Sequence, residues 1–236
     1  MNQKILPIQQ ELRSFANEQI AKKSRTFMKS YKGGYGEGDF FLGLRVPVIR
    51  EMAKQNHDLS MKDTLVLVKS KYHEERMLGL ILLVNKYKKS KIEKEHERIY
   101  QVYIKHFKYI NNWDLVDITC PHIVGKHLMG RDRSILYTWV KSSDIWTRRI
   151  AMVTNWWFVR KGDLRDVFKM AKLLRNDEHD LIHKAVGWML REAGKKDQAQ
   201  LEAFLKNNTT KMPRVMLRYS IEKFSDKKRK YYLNLK

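Results

Sequence analysis

The five residues KAVGW at positions 184–188 have two earlier counterparts in the chain, RMLGL at 76–80 and RIAMV at 149–153. Each segment begins with a cation and continues with small and apolar residues, and a weaker match, RVML, starts at position 214. The starting positions are 73, 35 and 30 residues apart, and 73 is close to two units of about 36. Self-similarity at such a period is typical of stacked helix pairs, because one repeat cannot bury its apolar face alone.

The sequence around these segments has the spacing of helices. Apolar side chains recur every three or four positions from Met77 to Tyr87 and again from Val167 to Leu174, which predicts amphipathic helices. The chain has four prolines and no Asn-Gly or Asp-Gly hairpin turn. The sequence therefore predicts an all-α fold, a HEAT-like helical-repeat solenoid with a concave basic groove. We expect it to form a single all-helical domain over residues 1–236.

The chain is strongly basic. It contains 48 Lys and Arg against 26 Asp and Glu, a formal net charge of +22. A charge of this size repels itself in a compact state, so it predicts a polyanionic partner. Nucleic acid is favoured because cations release its condensed counterions, while a membrane surface or an acidic protein stays open. The basic C-terminal segment, about 206–236, contains KKRK at 227–230 and is either a DNA-contacting arm or a solvated end.

Cysteine and histidine usage gives little sign of metal or disulfide chemistry. Cys120 is the one cysteine, so an internal disulfide or a thiolate cluster cannot form, which fits a reducing compartment. His179 and His183 are four residues apart but lack a nearby third ligand, so surface histidines are favoured over a metal site. With no signal-peptide pattern and no membrane-length apolar run, we expect a cytoplasmic monomer that needs no metal, cofactor or membrane.

Five of the eleven glycines lie between positions 33 and 43. Their spacing does not match a P-loop, because no Gly-Lys-Ser/Thr follows, and no strand precedes them as in a dinucleotide fingerprint. This favours a turn between helices over a phosphate cradle. Cations precede the turn from Lys22 to Lys32, so backbone amides beside them could still meet a phosphate.

The stretch WDLVD at 113–117 is the best candidate for chemistry. On a helix, Trp113 and Asp117 share a face, and Asp114 is a neighbour of Asp117. A carboxylate repels the phosphates of DNA, so an acid that faces DNA calls for an explanation. One explanation is that it stabilises the oxocarbenium-like transition state of glycosidic bond cleavage. The alternative is that both acids only favour the helix N-terminus.

Four stretches belong together: FLGLRVP at 41–47, WDLVD at 113–117, SDIWTRR at 143–149 and KAVGWMLRE at 184–192. In combination they resemble the AlkD-type DNA alkylation-repair glycosylases of the HEAT-like repeat class. The resemblance covers roughly residues 25–225. It implies hydrolysis of the N-glycosidic bond of N3- and N7-alkylated purines in double-stranded DNA, without the base flipping that most such enzymes use.

The resemblance also implies roles for particular residues. Trp113 and Trp188 would flank the deoxyribose of the lesion, and Asp117 would stabilise the oxocarbenium ion and position the attacking water. Arg149, or the adjacent Arg148, would hold a phosphate. The family's early tyrosine corresponds to Phe27, and Arg45 stands where its best-known members carry glutamine. The predicted DNA-contacting side chains are therefore Phe27, Arg45, Arg148, Arg149 and Lys184.

Two other function classes stay open from the sequence. A non-catalytic nucleic-acid-binding protein of the same family would bind with a steep salt dependence and release no base. A scaffold that grips an acidic protein would ignore duplex DNA. The non-catalytic binding protein is disfavoured because Trp113, Asp117, Arg149 and Trp188 occur together, and binding alone would not require the acid. The protein-binding scaffold ranks last of the three.

Overall fold

The computed structural model describes residues 5–235; Lys236 and residues 1–4 lie outside it. In the described range the chain forms fourteen α-helices, and its extended pairing is limited to one parallel bridge between Phe40 and Tyr72. The predicted all-α class is confirmed. Among residues 5–235, none of the helices combines the length and the apolar character needed to cross a bilayer.

The chain divides into two compact units, with the boundary between Thr119 and Cys120. The expectation of a single domain stays a prediction. The helices that begin in the first unit are α1 (Ile5–Ser14), α2 (Glu18–Phe27), α3 (Val46–Gln55), α4 (Met61–Val68), α5 (His73–Lys89), α6 (Glu93–Lys105) and α7 (Trp113–Cys120).

Helix α5 is the centre of the first unit, because α3, α4 and α6 all pack against it. The expected stripe is largely buried, Met77 and Leu80 included, but Leu78, Leu82 and Leu83 on other faces are buried as well. A helix that is apolar all round is a core helix rather than an amphipathic surface helix. The first four residues of α5, at positions 73–76, are polar and nevertheless buried.

The second unit begins with a π-helical turn, Pro121–Gly125. Its helices are α8 (Ser134–Trp139), α9 (Ile145–Arg160), α10 (Arg165–Leu173), α11 (Asp180–Lys196), α12 (Gln198–Asn208), α13 (Arg214–Ser220) and α14 (Asp226–Asn234). Helix α11 packs against both α9 and α13, and these three helices start 35 and 34 residues apart. The period expected from the sequence is therefore present in this unit as a stack of equivalent helices.

The helix boundaries also fix the register of the repeating cations. Arg149 is the fifth residue of α9 and Lys184 is the fifth residue of α11. The fifth residue of α13 is Arg218, which is exposed, whereas the sequence match at Arg214 falls four residues earlier. Four residues are about one helical turn, so the two arginines share a face. The sequence match at Arg214 was weak because it is offset by one turn from the equivalent position.

Gly187 allows α11 and α13 to approach closely. A Cβ atom at this position would lie 2.5 Å from the Cβ of Tyr219 and 2.6 Å from the carbonyl oxygen of Met216. Neither atom is the end of a flexible side chain, so the helices would have to separate. Glycine is required here by close packing, although it disfavours helix formation.

Replacing Gly187 by alanine is expected to lower the free energy of unfolding by about 1–3 kcal/mol, because overpacking outweighs the gain in helix propensity. Gly194→Ala in the same helix is the matched control. Its Cβ would meet the Cδ2 end of Leu201, which can rotate away, so we expect little or no loss. Urea unfolding followed by circular dichroism measures both variants, and equal stabilities would contradict the close-approach argument.

The described part of the basic C-terminal segment is folded. Residues 206–235 contain the end of α12, α13 and α14. Tyr232 of α14 is buried, while the four cations at 227–230 are exposed. Lys228 forms an ion pair with Glu202 of α12, with its Nζ 2.5 Å from the carboxylate oxygen. A DNA-contacting role for this helical segment stays a prediction.

Candidate functional site

Helix α7 carries the predicted catalytic pair of the first unit. It begins at Trp113, whose backbone N–H donates to the side-chain oxygen of Asn112 at 2.9 Å. Trp113 and Asp117 are both half-buried, whereas Leu115 and Val116 are fully buried. The helix therefore packs into the core through Leu115 and Val116, and the face with Trp113 and Asp117 stays partly accessible.

The structure brings Phe27 and Trp113 together. Phe27 is the last residue of α2, and its ring meets that of Trp113 edge to face, with centroids 5.8 Å apart and planes at 84°. Phe27 is 67% exposed, so the contact leaves most of this residue in solvent. Two residues that the sequence assigned separately to DNA contact and to catalysis thus form one aromatic surface.

The glycine-rich loop supports this surface as a compact turn. A Cβ at Gly36 would lie 2.4 Å from the carbonyl oxygen of Met28, so the loop packs tightly against the end of α2. The Tyr35 hydroxyl donates to the carbonyl oxygen of Phe27 at 3.0 Å, and the Gly33 N–H donates to Glu37 at 2.7 Å. The expected turn between helices is therefore present, and it fixes the end of α2 that carries Phe27.

A buried histidine links the loop to α7. His73 is 2% exposed, and its Nε2 lies 2.8 Å from an oxygen of Asp114 while its Nδ1 lies 3.2 Å from an oxygen of Asp39. Burial alone would lower the pKa of His73, but the charge of Asp114 and the hydrogen bonds to Asp114 and Asp39 raise it to about 9, against an opposing contribution from Arg76. The imidazole is therefore held as a cation near neutral pH.

Asp39 is the acceptor on which the cluster converges. Burial raises the pKa of its carboxyl, but the hydrogen bond with His73 and the charge of Arg76 outweigh burial, and the net pKa is lowered. The guanidinium of Arg76 donates to Asp39 at 2.7 Å, and the amide of Asn111 donates to the same oxygen at 2.8 Å. Two buried cations thus balance the carboxylates, as buried charge requires.

Glu74 holds the chain that leads into α3. Its carboxylate accepts hydrogen bonds from the backbone N–H groups of Leu42 at 2.9 Å, Gly43 at 2.8 Å and Leu44 at 3.3 Å. Arg45 follows at the N-cap of α3 with its side chain exposed. The predicted DNA contact at Arg45 therefore sits on a backbone that a buried acid fixes in place.

The burial of the four polar residues at the start of α5, positions 73–76, was not predicted from the sequence. Acidic residues in the first turn of a helix are ordinarily explained by the helix dipole, so they do not by themselves indicate buried charge. The signal that could have exposed them is HEER at 73–76, four polar residues that directly precede one of the most apolar runs in the chain.

In the second unit, Arg148 has a structural use. Its guanidinium forms a two-point ion pair with Asp177, at 2.6 and 3.2 Å, and donates to the carbonyl oxygens of Ser142 and Ser143 at 2.9 Å each. These bonds tie the start of α9 to the turn that precedes it and to the turn before α11. A guanidinium with this many partners would have to break several of them to bind a phosphate.

The side chain of Arg149 contacts the first turn of α11. It is 5% exposed, and its guanidinium donates to the carbonyl oxygen of Leu181 at 2.6 Å. Lys184, one helical turn below Trp188 on α11, pairs with Asp180 at 2.6 Å. Lys184 and Trp188 are both half-buried and share a helix face. A phosphate contact by either cation stays a prediction.

His179 and His183 lie at the start of α11. His179 is the N-cap residue, with its Nδ1 accepting the Leu181 N–H at 3.1 Å. Residues 5–235 contain no group of three or more histidine, cysteine or acidic side chains arranged to hold a metal ion.

Comparisons with known proteins place these features in context. A family model described as DNA alkylation repair enzyme matches residues 8–224. The structure resembles that of a predicted DNA alkylation repair enzyme from Enterococcus faecalis, with a TM-score of 0.69 and 17% identity over 89% of this chain and 97% of that one. Comparison with curated proteins gives no match.

Two structures from Streptococcus mutans are also similar. They are AlkD2 and smu.31 of strain UA159, each with a TM-score of 0.55 and 18% identity over 89% of this chain, and covering 99% and 98% of their own chains. At these identities the likeness shows a shared fold. It confirms the predicted helical-repeat class, while the concave basic groove stays a prediction.

Proposed function

The chain belongs to the family of DNA alkylation repair enzymes, and we propose that it is a DNA glycosylase that hydrolyses the N-glycosidic bond of N3- and N7-alkylated purines. The proposed substrate is double-stranded DNA, and the lesion stays within the duplex rather than flipping into a pocket. One observation carries the proposal: Asp117 is partly exposed one turn after Trp113, on an accessible face of α7 in a chain of net charge +22.

The reaction needs few protein groups. An N3- or N7-alkylated purine is already cationic, so when its bond to C1′ breaks, the electron pair leaves with the base and the base becomes neutral. A water oxygen then bonds to C1′, and one proton passes to solvent. Positive charge develops on the sugar in between. Asp117 would stabilise that charge and orient the water, which requires no strong general acid.

The aromatic residues have a positioning role in this proposal. Trp113 and Trp188 would contact the C–H edges of the deoxyribose, and Phe27 would extend the ring surface of Trp113. The support is their geometry within each unit. Phe27 and Trp113 are in edge-to-face contact, and Trp188 is half-buried on the helix face that also carries Lys184. Rigid apolar rings beside a sugar also lower the local dielectric constant, which strengthens the attraction between the Asp117 carboxylate and the developing positive charge.

Cationic side chains would hold the DNA backbone. Arg45, Arg149 and Lys184 are the proposed phosphate contacts, and Arg148 is the weaker candidate because its guanidinium already bonds Asp177 and two carbonyl oxygens. A monomer acting in the cytoplasm stays the expectation.

Arg45→Ala is expected to weaken DNA binding uniformly across sequences and to reduce the slope of log K against log salt by about 1, because one phosphate contact is lost. Fluorescence anisotropy with a labelled duplex at several salt concentrations measures the slope. Lys94→Ala, which removes another exposed cation of the first unit, is the control and should leave the slope unchanged. An unchanged slope for Arg45→Ala would remove this residue from the interface.

Mass spectrometry of free bases tests the function. Duplex DNA treated with a methylating agent is incubated with the protein, and release of 7-methylguanine or 3-methyladenine is expected. Asp117→Ala is the inactive control. Tight, salt-dependent binding of the same duplex with no base release above that control would contradict the proposal and support a non-catalytic nucleic-acid-binding protein.

A further inference from the structure

The buried ionic cluster of the first unit contacts α7 beside the proposed catalytic pair. Asp114 directly follows Trp113 and lies three residues before Asp117. Its side chain is 13% exposed, and its carboxylate bonds His73 at 2.8 Å. On its other side His73 bonds Asp39, which lies in the glycine-rich loop at 33–43. One imidazole therefore joins the loop, the first residue of α5 and the first turn of α7.

Both ring nitrogens of His73 face carboxylate oxygens, which act as acceptors. A neutral imidazole has one N–H and can donate to one of them, whereas the imidazolium donates to both. The charged groups that face the ring are Asp39 from the loop, Asp114 from α7 and Arg76 from α5 itself. With His73 protonated, the cluster has two positive and two negative charges, and loss of the proton leaves a buried negative charge without its partner.

Two further contacts hold the ring and its acceptor Asp39. Phe41 stacks on His73, with ring centroids 4.7 Å apart and planes at 24°. Asn111, two residues before α7, donates to the same Asp39 carboxylate that His73 contacts. The segment entering α7 and its first turn are thus both attached to the Asp39–His73 pair. A shift of the ring would be transmitted to Trp113 and Asp117, because they belong to that turn and the next.

We infer that His73 is a positioning residue for the site on α7: its imidazolium, clamped between Asp39 and Asp114, sets the rotation of the first turn of the helix and thereby the placement of Trp113 and Asp117. This inference rests on the proposed function for its effect on catalysis. The inference gives His73 no contact with DNA. A change at His73 should therefore lower the rate of base release and leave the affinity for the duplex nearly unchanged. It also makes the rate and the environment of Trp113 depend on one buried proton.

The first experiment observes Trp113 directly. The protein is labelled with 5-fluorotryptophan, and the ¹⁹F resonance of Trp113 is assigned by its loss in Trp113→Phe. In the wild-type protein we expect this resonance to shift with a midpoint near pH 9, where His73 loses its proton. In His73→Gln the resonance should be displaced at neutral pH and should not titrate. Exposed His57 of the same unit provides the control, because His57→Gln should retain the wild-type titration.

The second experiment measures catalysis at pH 7.5. His73→Gln is expected to lower the single-turnover rate of base release roughly tenfold to 100-fold, as a small displacement of reacting groups can do, while the Kd for the duplex changes less than about twofold. An equal loss of rate and affinity, or an unchanged rate, would overturn the inference. If His73→Gln does not fold, the wild-type titration alone decides it, since a Trp113 resonance that stays constant from pH 7 to 10 excludes the coupling.

The two proposals fail in distinguishable ways. If the wild-type protein releases no base but the Trp113 resonance follows the His73 proton, the glycosylase proposal is wrong and the positioning role of His73 survives. If the protein releases base and His73→Gln releases it equally fast, the glycosylase proposal stands and the role of His73 is lost.

Discussion

Asp117→Asn is expected to release alkylated purines roughly 100- to 1,000-fold more slowly than the wild-type protein, because a neutral amide cannot stabilise positive charge on the sugar as a carboxylate does. Its affinity for duplex DNA should be equal or higher, since a negative charge that repels phosphate is removed. The measurement is the single-turnover rate of base release at saturating protein, with the Kd from anisotropy.

The matched control for this substitution is Asp226→Asn. Asp226 is also an acid near the start of a helix, in the first turn of α14, and its side chain is exposed. We expect a wild-type rate for this variant. An Asp117→Asn protein that is folded, binds DNA and releases base as fast as the control would remove Asp117 from the mechanism, whatever else the protein does.

Glu74→Ala is expected to lower the free energy of unfolding by about 3–5 kcal/mol, because three backbone N–H groups lose their acceptor in a buried site. Glu74 is 3% exposed, and its partners at positions 42–44 lie about thirty residues earlier in the chain. The truncation also leaves a cavity, which adds to the loss. Urea unfolding followed by circular dichroism gives the midpoint and the slope.

Two controls distinguish the loss of the Glu74 hydrogen bonds from the loss of an acidic side chain in general. Glu51→Ala removes an exposed glutamate that pairs with Lys54 on the surface of α3, and it should change stability by less than about 0.5 kcal/mol. Glu74→Gln keeps the size of the side chain and one acceptor oxygen, so its loss should fall between the two alanine variants. A Glu74→Ala protein as stable as Glu51→Ala would show that the loop at 42–44 does not depend on this carboxylate.

The adjacent arginines at the start of α9 illustrate a limit of sequence reasoning. Arg148 and Arg149 have the same chemistry, and neighbouring residues of a helix point about 100° apart. The repeat period favoured Arg149, but the period says nothing of what surrounds either side chain. In the structure Arg148 binds Asp177, 29 residues away, and Arg149 binds the carbonyl oxygen of Leu181, 32 residues away. These partners come from the turn before α11 and from α11 itself, so they depend on how the repeats stack.

The sequence by itself determined the helical class, the period of the repeat in the second unit and the placement of Trp113 and Asp117 on one helix face, because apolar spacing and i, i+4 geometry are local properties of the chain. The tertiary structure alone decided which polar groups are buried together. His73 contacts Asp39 and Asp114, which are 34 and 41 residues away in the chain. A local sequence pattern cannot predict contacts between residues so far apart. The physical reason is that a buried charge is tolerated where the fold supplies its partners, and those partners are chosen by packing.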